Sequence, residues 1–255
     1  MRTYILAVVA GASLVGPVTA ADLYIEEPVP VIVPAGGWYL RGHIGMSNQR
    51  LGELNHELFD AIEYHELVDE GGFNSAPVVG VGIGYQFNDW LRMDGIVEYR
   101  GKADFAALDR YGHSGPSGPI WDGTNDYDGA KSEWLLMANA YVDIGDWNGI
   151  VPYVGAGIGA SRNQISGFRD INVPTQGVAW ADSDATWNFA WALHAGVGYK
   201  ATDRLTLDFG YSYVDLGDAK TGEIRTYDNT VVNSPMQFKD ITSHDFKLGM
   251  RYALQ

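Results

Sequence analysis

From Trp38 onward, large apolar residues recur at every second position, in segments near 38–47, 76–87, 90–101, 131–143, 151–161, 185–200, 204–216 and 241–254. A period of two marks a strand with two unlike faces. In the sixth segment Trp187, Phe189, Trp191, Leu193, Val197 and Tyr199 share one face, against Asn188, Ala190, His194, Gly196 and Lys200 on the other. The seventh sets Leu205, Leu207, Phe209, Tyr211 and Tyr213 against Arg204, Thr206, Asp208 and Ser212. The eighth sets Phe246, Leu248, Met250, Tyr252 and Leu254 against Lys247, Gly249 and Arg251. Short links at Asn88-Asp89, 145–149 and 201–203 alternate with long ones at 48–75, 102–130, 162–184 and 217–240. Such long links are foreign to a compact soluble domain.

Charged residues recur on the face opposite the apolar one, and no run of apolar residues after the N-terminus is long enough to cross a bilayer as a helix. The remaining way to span lipid is a closed barrel that pairs all its backbone groups. The expected fold is therefore all-β: an eight-stranded antiparallel up-and-down transmembrane β-barrel with four long extracellular loops and three short periplasmic turns. The rival is a soluble lipocalin-like barrel, which would turn its apolar face inward around a ligand.

The chain opens with Arg2, an apolar run from Tyr4 to Val15 and the small-residue stretch ending at Ala20-Ala21. Residues 1–20 read as a cleaved signal peptide, cut after Ala20 or Ala21. Residues 21–36 form a Pro-rich periplasmic segment, since Pro28, Pro30 and Pro34 block ladder pairing. The barrel domain is 37–255, exported to the outer membrane of a Gram-negative cell.

Composition narrows the partners. A net charge of -15 and the absence of any basic cluster argue against nucleic acid. Zero cysteines leave backbone pairing and burial to hold an exported fold. No cofactor, metal site or catalytic centre is expected. Outer-membrane lipids and lipopolysaccharide are the expected surroundings, and the long loops are the expected contact with any host or surface ligand.

The predicted lumen face carries Arg41, His43, Arg92, Asp94, Glu98, Arg100, Asp143, His194, Lys200, Asp208, Lys247 and Arg251. An eight-stranded barrel has room for little more than side chains inside, and buried charges must pair to offset desolvation. A packed salt-bridge network is expected; the alternative is a narrow, porin-like ion path gated at His43 and His194. Gly80-Val81-Gly82-Ile83-Gly84 and Gly155-Ala156-Gly157-Ile158-Gly159 resemble phosphate-cradling loops superficially, but they lie within strands with no helix following. Their expected role is to make room for large neighbours inside the wall.

Loop one is acidic, with Glu53, Glu57, Glu63, Glu66, Asp69 and Glu70, and its Leu54, Leu58, Ala61, His65 and Val68 predict a short surface helix. Its carboxylates lack tight metal-ligand spacing and read as a solvated face. A barrel enzyme, such as a lipid A-modifying enzyme or a protease, would need a nucleophile and base on one wall. The candidates are His113 with Ser114, and Ser243, His244 and Asp245; adjacent strand residues face opposite ways, which separates Ser243 from His244.

The C-terminal pattern Lys247, Gly249, Tyr252, Leu254 resembles the signal read by the barrel assembly machinery. Together with Gly37-Trp38-Tyr39, Gly82-Ile83-Gly84-Tyr85, Gly196-Val197-Gly198-Tyr199 and Asp208 with Tyr211 and Tyr213, it resembles the small outer-membrane β-barrel proteins of Alphaproteobacteria. These are surface antigens of the "porin family", similar to the OmpA transmembrane barrel. The resemblance implies a role in envelope integrity, exposed antigenic or adhesive loops, in some members host-cell or haem contact, and no catalytic residues.

Overall fold

The computed structural model describes residues 36–254. The expected signal peptide, nearly all of the Pro-rich segment and Gln255 lie outside the described residues. Eight long strands form the wall: β1 Trp38–Arg50, β2 Ala76–Gln86, β3 Leu91–Gly115, β4 Gly118–Asp143, β5 Ile150–Asn172, β6 Asp184–Lys200, β7 Leu205–Lys220 and β8 Gln237–Ala253. Each pairs antiparallel with its sequence neighbour, and β8 returns to β1 through Tyr39↔Ala253 to Arg50↔Thr242, which closes the ring. Closure leaves no open edge in lipid, where an unpaired backbone group would be costly.

Side-chain alternation gives the wall its polarity. Ile44, Val81, Ile158, Phe189 and Leu248 are each 60% exposed or more on the outside. Glu98, Arg100, Lys131 and Glu133 are fully buried inside. That inversion suits lipid outside the wall and side chains within it. The inward glycines make room: a Cβ on Gly80 would lie 2.4 Å from the His43 ring, one on Gly155 2.5 Å from the Tyr141 ring, and one on Gly196 2.5 Å from the Tyr153 hydroxyl.

One end carries three tight turns with recognisable chemistry. Asn88 Oδ1 accepts from the N–H groups of Trp90 and Leu91; Asp146 Oδ1 accepts from Gly149 N–H; Thr202 Oγ1 accepts from the N–H groups of Arg204 and Leu205. These side chains stand in for backbone partners at the bends. The other end differs from the expected loops, because most of its chain is strand. About 9–11 tilted residues cross the hydrocarbon, whereas β3 and β4 run 25 and 26 residues and turn directly from Gly115 to Gly118. The surplus forms a β-extension, widened by Tyr64–Phe73 on the β3 edge and by Gly177–Ala181, Ile224–Thr226 and Val232–Asn233 beyond β5. The helix expected in loop one shrinks to Glu57–Ala61, capped by His56. The residues after it form a strand instead, since ladder bonds to β3 satisfy their backbone.

Candidate functional site

The lumen fills in layers from the short-turn end upward. In the lowest, Arg92 Nε lies 3.1 Å from Asp143, and its guanidinium sits 4.0 Å from the Tyr141 ring centre and 4.7 Å from that of Tyr153. Arg251 grips Asp208 with two bonds of 2.8 and 3.0 Å. Arg41 donates to Asp94 at 2.7 Å and to the Tyr141 hydroxyl at 2.8 Å, while Tyr39 and Asn139 also donate to Asp94.

The middle layer centres on Glu98, with Lys247 Nζ at 2.6 Å and His43 Nε2 at 3.0 Å. His194 is held by Ser212 at 2.9 Å and Asn139 at 3.1 Å. A cavity of about 20 Å³ lies among His43, His194, Lys247 and Tyr153, room for about one water.

In the upper layer Arg100 faces three carboxylates: Asp245 at 2.7 Å, Glu133 at 3.1 Å and Glu98 at 3.2 Å. Lys131 pairs with Glu133 and donates to Gln49 at 2.9 Å. Across the three layers six cations, Arg41, Arg92, Arg100, Lys131, Lys247 and Arg251, meet six carboxylates, Asp94, Glu98, Glu133, Asp143, Asp208 and Asp245. With both histidines neutral the balance is even.

Above this network the inside turns apolar. Phe238 of β8 meets Phe105 of β3 at 4.9 Å, Phe73 at 5.9 Å and Phe168 of β5 at 6.5 Å between ring centres. These rings converge from four strands and cap the charged layers, packed further by Ile165, Leu216 and Ile241. Higher in the extension Asp109 accepts from the Tyr127 hydroxyl at 2.7 Å, from Asn125 N–H at 2.9 Å and lies 3.0 Å from His65 Nε2. Burial, then the nearby Asp109 charge, pushes the Asp170 carboxyl up to about 6.

Of the twelve residues predicted for the lumen, the structure brings eleven inside. Lys200 is the exception: it is exposed at a short turn and pairs with Asp146 at 2.7 Å. The last strand residue before a turn has solvent within reach of a long side chain, so its parity does not bury it. Sequence reasoning missed Lys131, Glu133 and Asp245, all of which obey the alternation of Leu135 and Lys247 carried one or two steps further. Lys247 and Gly249 of the expected assembly signal point inward or pack against β1, whereas Tyr252 and Leu254 are exposed at 46% and 47%. Ser243 is buried inside against Ser47, while His244 bonds Tyr211 at 2.7 Å outside, so the wall separates them. At the tip of the extension His113 pairs with Asp122, and Ser114 donates to Glu63. Among the described residues no group of His, Asp and Glu has the arrangement of a metal site.

The model of the outer membrane protein β-barrel domain family matches residues 9–253. An uncharacterized protein of Brucella suis is 33% identical over 94% of each chain. PagN, an outer membrane protein of Salmonella typhimurium, is 26% identical over 68% of this chain and 71% of its own. A Rickettsia prowazekii protein provisionally named an adhesin is 25% identical over 85% of this chain and 87% of its own.

Proposed function

Because this chain belongs to the outer membrane protein β-barrel family, we propose that it is a sealed, lipid-anchored scaffold that holds a rigid β-extension outside the cell for surface contact. It sits in the outer membrane with its short turns toward the periplasm and its long strands outward, the usual layout of bacterial barrels. The observation that carries this reading is the pairing of a charge-balanced lumen with the aromatic cap over it. That combination favours a wall that stabilises and displays over one that conducts. The resemblance to a protein named as an adhesin supports assigning the extension a contact role. The one Ser–His pair among the described lumen residues, Ser212 with His194 at 2.9 Å, borders a cavity of only about 20 Å³, which favours a structural role for it and a non-enzymatic barrel. In this reading Lys247, Gly249, Tyr252 and Leu254 are presented to the assembly machinery during insertion.

Two measurements test it, one on proteoliposomes and one on cells. Proteoliposomes of the mature chain should release KCl and small sugars no faster than protein-free vesicles. Cells displaying the whole chain should bind host-cell surfaces more strongly than cells displaying a barrel shortened between Ala103 and Ala130. Rapid solute release, or equal binding by the shortened barrel, would remove the sealing or the contact half of the proposal respectively.

A further inference from the structure

On the outer face of the wall Arg162 of β5 lies in register between Trp134 of β4 and Trp187 of β6. Its chain neighbours Ser161 and Asn163 are fully buried inside, so alternation turns Arg162 outward. Trp134 and Trp187 are exposed at 47% and 58%. Below this row the wall is apolar, with Leu136, Ile158 and Phe189 exposed; above it Gln164 stands opposite Ser132. The row therefore marks the upper rim of the lipid belt, the level at which tryptophan favours the headgroups.

Arg162 lacks the partner that other arginines have. Arg110, Arg169 and Arg225 in the extension each face a carboxylate, but among the described residues no carboxylate lies within 4 Å of Arg162. Its one side-chain bond is a long 3.4 Å contact to Gln164. Arg50 and Arg204 also lack a carboxylate, but Arg50 stands beside Thr242 and Arg204 lies outside the strands at a short turn. An unpaired guanidinium at the edge of hydrocarbon is costly, and its planar fork matches two phosphate oxygens. A chain carrying a net charge of -15 would otherwise repel an anionic headgroup.

We propose that Arg162, bracketed by Trp134 and Trp187, binds the phosphate of a lipid headgroup, with the Gln164 amide and Ser132 hydroxyl as supporting donors. The inference rests on the outward orientation given above, which makes the ligand an outer-leaflet lipid.

The test is native mass spectrometry of the folded mature chain released from micelles. The micelles are doped with diphosphoryl lipid A, its dephosphorylated form or phosphatidylglycerol. Folding of each variant is first checked by a faster-migrating unboiled band. Wild type should retain diphosphoryl lipid A, Arg162→Gln about tenfold less, and Arg162→Lys an intermediate amount. Equal retention by Arg162→Gln, or equal retention of the dephosphorylated lipid, would overturn the site. Displacement of the lipid by millimolar inorganic phosphate would reassign it to a free anion and overturn the lipid. Arg162-dependent retention of phosphatidylglycerol in place of lipid A would uphold the phosphate site while overturning the orientation.

Discussion

The wall and the extension are built from the same strands but have opposite polarity. Between Leu91 and Arg100, β3 turns Arg92, Asp94, Glu98 and Arg100 inward and Met93, Val97 and Tyr99 outward. Between Ala103 and Ala107 it turns Ala103, Phe105 and Ala107 inward and Asp104 outward. The solvent explains the reversal. In lipid, apolar side chains gain nothing by leaving the outer surface, so the inside is filled by groups that satisfy one another; in water the hydrophobic effect draws apolar side chains in. One sheet therefore follows two rules, and the change occurs between Arg100 and Phe105.

The largest effect expected from breaking this arrangement is in the charged half. Arg100→Ala leaves Glu98, Glu133 and Asp245 without their shared cation, and stability in micelles should fall by about 4 kcal/mol in urea unfolding. A loss below about 1 kcal/mol would mean that these carboxylates are solvated. In the apolar half, Phe238→Ala removes the ring on which three others converge and should cost about 3 kcal/mol. The loss should be local: amide exchange should rise in the outer halves of β3, β4 and β5 and stay slow in the wall. Uniform acceleration would show that cap and wall unfold as one unit.

The smallest effect comes from Asp170, whose folded carboxyl is raised to about 6. A raised value means that the folded state holds the proton more tightly than the unfolded one. Stability of the extension is then greatest in acid, declines as pH rises toward about 6, and stays reduced above it, by less than roughly 3 kcal/mol because solvent screens this partly exposed carboxyl. Asp170→Asn should remove this dependence, so protection around Phe168–Asn172 measured at acid and neutral pH should become equal. Persistence of the difference in the variant would assign it to another group.

The wall was legible in the sequence because its alternation holds phase from the short turns upward. The extension was hidden for a physical reason: its strands slip phase at bulges. The β3–β4 ladder shifts between Arg100 and Ala103, the β4–β5 ladder between Asp128 and Ala130, and the β7–β8 ladder between Asp215 and Gly217. A bulge adds one unpaired residue and exchanges the two faces. Strands expected to end at 101 and 216 were cut beside slips in β3 and β7, and the chain beyond each read as loop; β4 keeps one phase from Tyr127 to Asp143, and the slip opposite it lies on β5. Most of the charged network fell within the in-phase part. Lys131, Glu133 and Asp245 keep the phase of Leu135 and Lys247 within the expected strands, so parity reached them and they were passed over, while Phe105, Phe168 and Phe238 lie beyond the slips in their strands, where that parity no longer holds. In loop one the near-helical spacing of Leu54, Leu58, Ala61, His65 and Val68 gave a helix signal that the free edge of β3 outcompeted.

The length of the β3–β4 hairpin bears on how a contact would be made. From Ala103 to Gly115 the strand rises about 3.3 Å per residue, so the hairpin projects roughly 40 Å along its own axis. Ile120 and Trp121, both exposed near its tip, are thus carried on a paired and braced ladder well clear of the headgroups. A loop of equal length would lose conformational freedom whenever something bound it. A partner meeting this tip spends little on ordering it, so even a small contact area can hold.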